Sequence, residues 1–132
     1  MSWYFDTSAL TKLVADEPES SALAAARSNR RWRITTSDLT RTELARAALR
    51  KGSVDSQRTA DLLREVDLIP VSIPVLDLAG RLEPPRLGSL DAIHLASALL
   101  LGSECEGVVT YDIRMREAAA LAGLAVVSPG QP

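Results

Sequence analysis

Asp6, Glu43, Asp91 and Asp112 lie far apart along the chain, yet each falls where an expected strand ends or an expected helix begins. In an open parallel α/β sheet the carboxyl ends of the strands share one rim, so acids distant in sequence can converge there. Carboxylates gathered without a cation repel one another and some take up protons. A divalent ion keeps them ionised and brings chemistry of its own.

The elements that must position these acids follow from the apolar pattern. The run WYFD at positions 3 to 6 predicts a strand, and TSALTKLVADE continues it as a helix through Leu10, Leu13 and Val14, capped by Thr7 or Ser8. Ala22 to Arg27 extends as an Ala-rich helix, Ile34 to Ser37 reads as a second strand, and TRTELARAALRKG gives a helix closed at Gly52. Ser53 opens the next helical pattern, around Leu62, Leu63 and Val66. LIPVS offers a short strand from Leu68, which Pro70 assigns to a sheet edge. A helix from Ser72 to about Leu82, the loop EPPRLG, and a helix capped by Ser89 and ending at Gly102 come next. VVT, the helix RMREAAALAG and the strand LAVVS complete the alternation. Strands alternating with helices predict a three-layer α/β/α sandwich around a mainly parallel sheet, formed by residues 1–132 as one domain.

Each acid also has a purely structural explanation. Asp6 and Asp91 suit the positive end of a helix. Thr40-Arg-Thr-Glu43 fits a capping box, and Asp112 fits a strand-to-helix turn. The joint pattern, four such acids on one rim, favours a shared site. His94 is one helical turn beyond Asp91; on so apolar a helix it reads as a hydrogen-bonded, partly buried imidazole rather than a ligand. Ser8 and Thr110 place hydroxyls two residues after Asp6 and two before Asp112, where they either orient water on an ion or cap turns.

Other chemistries are poorly served. The sequence has no GxxxxGK phosphate loop, no Cys/His zinc spacing and no nucleophile elbow. Cys105 is the only cysteine and reads as a packing or surface residue rather than a nucleophile. Metal-assisted attack of water on a phosphodiester remains, with oxygen ligands suited to Mg²⁺ or Mn²⁺. The net charge of −2 disfavours nucleic acid at first sight, but setting aside the four acids turns it to +2, and thirteen of the fifteen cationic residues are Arg. The start MSWYFDTSAL lacks a basic leader segment and no apolar run would span a bilayer, so a cytoplasmic location without membrane association is expected.

These stretches resemble PIN-domain ribonucleases, in particular the VapC-type toxins of toxin–antitoxin pairs. FDTSALTKLV looks like the family's first motif, with Asp6 and Ser8, and TRTELARA like the second, with Glu43. SLDAIHLASAL carries Asp91 and His94 as the family pattern does, and VVTYDIRMREAAALAGL carries Thr110 and Asp112. The resemblance implies acids holding one or two Mg²⁺ or Mn²⁺ ions, cleavage of single-stranded or looped RNA, a homodimer, and a cognate antitoxin that occludes the site. Where many relatives have an Arg before the third motif this chain has Gly88, which makes Arg86 the candidate for that phosphate contact. The rivals are a housekeeping RNA-processing nuclease and a non-catalytic RNA- or protein-binding module. A phosphotransferase using Asp6 as nucleophile ranks last, because Ser8 stands where a second Asp is wanted.

Overall fold

Alternation along the first strand decides the layering. In a computed structural model describing residues 2–132, β1 (Ser2–Phe5) sends Phe5 into one core and Tyr4 into the other, as the two-residue repeat of a strand requires. After it come α1 (Thr7–Val14), α2 (Ser20–Arg30), β2 (Arg33–Ser37), α3 (Leu39–Arg50), α4 (Ser56–Glu65) and β3 (Asp67–Ile69). The chain then forms α5 (Ile73–Ala79), α6 (Ser89–Leu100), a short 3₁₀ turn at Gly102–Glu104, β4 (Cys105–Val109), α7 (Ile113–Leu121) and β5 (Val126–Val127).

All four strand pairings are parallel, in the order β3-β2-β1-β4-β5. The first strand of the chain is therefore the middle strand of the sheet. Leu10 and Val14 of α1, Leu23 of α2, Leu44 of α3 and Leu62 of α4 pack with Phe5, Ile34 and Val109 on one face. Leu95 and Ala98 of α6 join Met115 and Ala119 of α7 over Tyr4 and Val108 on the other. This is the expected three-layer sandwich, and β3, which stops just before Pro70, is indeed an edge strand. Because every strand points the same way, residues following β1, β2 and β4 meet at one rim, and α6, which returns toward the start of β4, begins at that rim.

The helix starts differ from expectation in an informative way. Asp6 itself is the N-cap of α1, its carboxylate accepting from Ala9 N–H, and neither Thr7 nor Ser8 takes that role. Asp55 rather than Ser53 caps α4, and Gly88 precedes α6 with no side-chain cap, leaving Ser89 inside the helix. The α3 helix starts one residue before Thr40, with Asp38 at its N-cap position, so the capping box around Glu43 does not form and Glu43 is free for other partners. In each case an acid or a bare backbone turn replaced a hydroxyl of nearly equal capping preference, which local sequence cannot rank.

One glycine is fixed by close approach. A Cβ on Gly107 would lie 2.6 Å from both the Ala125 carbonyl oxygen and the Trp3 ring, where the β1–β4 register jumps from Ser2–Cys105 to Trp3–Gly107. The Gly107→Ala variant is expected to lose about 1–3 kcal/mol of unfolding free energy in urea titrations, since neither the strand backbone nor the indole can yield cheaply.

Candidate active site

Asp6 is 3% exposed at the carboxyl end of the central strand. Its Oδ1 accepts from Ser8 Oγ at 2.6 Å and from Ala9 N–H at 3.1 Å, and its Oδ2 accepts from Thr110 Oγ1 at 2.5 Å. Both hydroxyls are themselves held from behind: Ser8 Oγ accepts from Tyr111 N–H at 2.9 Å and Thr110 Oγ1 from Asp112 N–H at 3.1 Å. Ser8 and Thr110 thus aim their protons at Asp6, and the turn after β4 is locked to the turn after β1. Burial still pushes the Asp6 carboxyl above its ordinary value, against the opposing pull of Ser8, Thr110, the nearby His94 and Ala9 N–H.

Glu43 projects from α3 toward the same rim and meets a buried chain of polar groups. His94 is 2% exposed. Its Nε2 lies 2.7 Å from Glu43 Oε1 and its Nδ1 lies 2.6 Å from Tyr4 Oη. Thr7 Oγ1 donates to the same Glu43 oxygen at 2.5 Å. A carboxylate only accepts, so Nε2 carries the proton it shares with Glu43. In the neutral ring Nδ1 then accepts from the tyrosine hydroxyl. Burial raises the Glu43 carboxyl, but the His94 hydrogen bond and charge, the Thr7 hydroxyl and Arg50 together outweigh it and hold Glu43 below its ordinary value. Burial, followed by the charge of Asp6, keeps Tyr4 protonated far above the usual phenol range. His94 is therefore the hydrogen-bonded imidazole its apolar helix suggested. Tyr4 and Thr7 escaped sequence reasoning. Tyr4 hides in an apolar run, and Thr7 is one more hydroxyl at a helix start.

Asp91, in the first turn of α6, is only half-buried, and its environment is the least balanced of the four. Burial raises its carboxyl first, and the charges of Asp112, Asp6 and Glu43 add to the shift against the opposing pull of His94. Asp112, Asp6 and Glu43 therefore stand near enough to Asp91 for their charges to act on its carboxyl. Asp112 caps α7, its Oδ1 accepting from Arg114 N–H at 2.8 Å and Met115 N–H at 3.3 Å. The turn-residue explanation of Asp112 and the capping explanation of Asp6 therefore both hold.

Among the described residues no three His, Cys, Asp or Glu side chains stand close enough to enclose an ion unaided. The donor set nonetheless fits a hard divalent cation. It consists of oxygens, its members repel one another, and Mg²⁺ characteristically keeps several waters while taking one or two carboxylates directly. Cys105 is buried, with Sγ donating to the Gly107 carbonyl at 3.2 Å, which selects packing over the surface placement that the sequence left open. Arg86, the candidate phosphate contact, lines a cleft beside α7 together with Arg114, while Arg41 is tied to Asp38 at 3.0 Å and Arg46 is exposed. No helix among the described residues is long and apolar enough to cross a membrane.

The raised carboxyls have a consequence for stability. Where a folded carboxyl titrates above its unfolded value, the native state holds a proton the unfolded chain has released, so stability falls as pH rises from the ordinary carboxylate range through the raised value. At neutral pH, with no metal added, Asp91→Asn is therefore expected to gain roughly 0.5–1 kcal/mol, a range kept small because the group is half solvated. The gain should shrink as the pH is lowered toward the ordinary carboxylate range, as followed by chemical denaturation at a series of pH values. Tyr4→Phe should cost about 1–3 kcal/mol in the same measurement, because it strands a buried imidazole nitrogen.

Comparison with known proteins adds to this geometry. A family model described as the PIN domain matches residues 3–121. The chain is 46% identical over 126 residues, 96% of each sequence, to a protein named Ribonuclease VapC46 from Mycobacterium tuberculosis (strain ATCC 25618 / H37Rv). Among solved structures it is similar to a toxin-antitoxin complex from Klebsiella pneumoniae, with a TM-score of 0.70 and 25% identity over 97% of this chain and 98% of that one. A crystal structure of Mycobacterium tuberculosis VapC20, described as a Sarcin-Ricin loop cleaving toxin, shares the fold with a TM-score of 0.71 at 17% identity, covering 97% of this chain and 100% of that one.

Proposed function

Because the chain belongs to the PIN-domain family, within its VapC group, we propose that it is a Mg²⁺- or Mn²⁺-dependent endoribonuclease and the toxin of a toxin–antitoxin pair. The observation that supports this reading is the placing of Asp6 and Asp112 at the carboxyl ends of adjacent parallel strands, with Asp91 raised by burial first and then by the charges of Asp112, Asp6 and Glu43. A relative named as a ribonuclease and a structural neighbour that is a toxin-antitoxin complex support the substrate and the partner. A homodimer, a cognate antitoxin over the site and a cytoplasmic location complete the proposal.

Asp6 and Asp91 would hold the principal ion, and Glu43 and Asp112 would complete its surroundings directly or through water. Once bound, the ion would supply the acidity that lets water attack a phosphodiester at neutral pH and would offset the charge that develops on the phosphate. The protein's own groups prepare that chemistry. Ser8 bonds one oxygen of the Asp6 carboxylate and Thr110 the other, which fixes the direction in which the remaining lone pairs point. Thr7 and His94 keep Glu43 ionised and oriented, and Tyr4 holds the imidazole. With water as nucleophile the products carry 5′-phosphate and 3′-hydroxyl ends. Arg86 stands in for the arginine absent at Gly88 in gripping phosphate.

Incubation of purified protein with total cellular RNA tests this. Discrete cuts are expected with Mg²⁺ or Mn²⁺ and none with chelator, and Asp6→Asn or Asp91→Asn should slow cleavage at least a hundredfold or so, the scale of losing several kcal/mol of charge stabilisation. Circular dichroism establishes that the variants are folded. Ends bearing 2′,3′-cyclic phosphate would contradict attack by water, and intact RNA under every condition would favour a binding module instead.

A further inference from the structure

The loop between α5 and α6 and the outer face of α7 enclose a cleft of about 600 Å³, within the size range of sites that hold a small organic ring system. Its floor is apolar, formed by Pro84, Leu87, Ala118 and Leu121, and Leu121 is 70% exposed. Around that floor stand Arg86, Arg114 and Glu117, all exposed. None of the three is in an ion pair among the described residues. Two cations and one anion sharing a cleft without pairing leave their hydrogen-bonding capacity for something else.

Both walls run directly into the acidic rim. The α7 wall begins at Asp112, whose carboxylate caps Arg114 N–H at 2.8 Å, and the loop wall leads through Gly88 into the first turn of α6 and Asp91. Arg114 in the lining is two residues from Asp112 and Leu87 is four from Asp91, so the cleft opens beside both acids. A polymer of alternating flat rings and phosphates matches this layout. A base can lie on the Pro84, Leu87 and Leu121 floor, while Arg86 and Arg114 meet the phosphates on either side of it.

Resting on the ribonuclease reading above, we propose that this cleft is a base-recognition subsite for a nucleotide next to the scissile phosphate, and that Glu117 makes it prefer guanine. A carboxylate accepts two parallel hydrogen bonds from the guanine N1–H and N2–H groups. Adenine and cytosine each pair a single amine with a ring nitrogen acceptor that repels the carboxylate, and uracil flanks its one N–H with two carbonyls.

The test titrates GMP, AMP, CMP and UMP separately into isotope-labelled, metal-free protein while amide resonances are followed. GMP should shift the amides of residues 86–87 and 114–121 with a Kd about tenfold below those of the other three, the discrimination expected of one bidentate pair. Glu117→Gln should abolish the guanine preference while leaving weak binding of all four, and Leu121→Asp should weaken all four together. Cut sites in cellular RNA should be enriched in guanine at one position for wild type and lose that enrichment in Glu117→Gln. Metal-dependent cleavage whose sites ignore Glu117, with no nucleotide shifting these amides, would overturn the subsite and leave the nuclease standing. GMP binding here in a protein that cuts no RNA would uphold the cleft and sink the nuclease reading. Loss of antitoxin binding in Leu121→Asp, with every nucleotide inert, would overturn the proposal by giving the cleft to a protein partner.

Discussion

A carboxylate buried at the end of the middle strand is the constraint on which this molecule is organised. Removing the Asp6 charge from water costs several kcal/mol unless its oxygens are hydrogen-bonded. The chain meets that demand with donors from two segments 102 to 104 residues apart. Those donors, Ser8 and Thr110, work only if β1 and β4 are adjacent and in register, and if the backbone at Tyr111 and Asp112 turns toward them. Strand pairing, the start of α1 and the start of α7 are thereby tied to one polar knot.

The other acids are arranged around that knot with unequal degrees of satisfaction. Asp6 and Glu43 are held by donors, and Asp112 spends one oxygen on its helix, while Asp91 has neighbours of its own sign, opposed only by the pull of His94 among the described residues. Such inequality is what the proposed cation would relieve, because a fully satisfied cluster would have nothing to offer one. The buried line from Tyr4 through His94 to Glu43 shows how far into the protein this ordering reaches. A tyrosine in the middle of the sheet determines where an acid on a surface helix points.

Much of this was legible in the sequence because it rests on periodicity and on strand ends. Apolar runs ending in Asp6 and Asp112 give both the elements and the acids, and Pro70 correctly assigns its strand to an edge. Capping was less legible. Asp, Ser and Thr compete for the same backbone donors with nearly equal preference, and only tertiary partners decide, which is why Thr40 and Glu43 look like a capping box and are not one. Tyr4 was invisible for a related reason. Its ring belongs to the core, and nothing in an apolar run shows that its hydroxyl meets an imidazole ninety residues away.

The middle position of β1 has a consequence for how the protein is made. Both neighbours of this strand come later in the chain, and the second, β4, ends at residue 109. Until the ribosome has released the stretch through Asp112, Asp6 has no Thr110 to satisfy it and one edge of β1 is unpaired. A half-synthesised chain therefore has no assembled rim. Whatever chemistry the acids perform is withheld from any nascent polypeptide or fragment that stops before β4, and becomes available only once the turn after that strand has emerged.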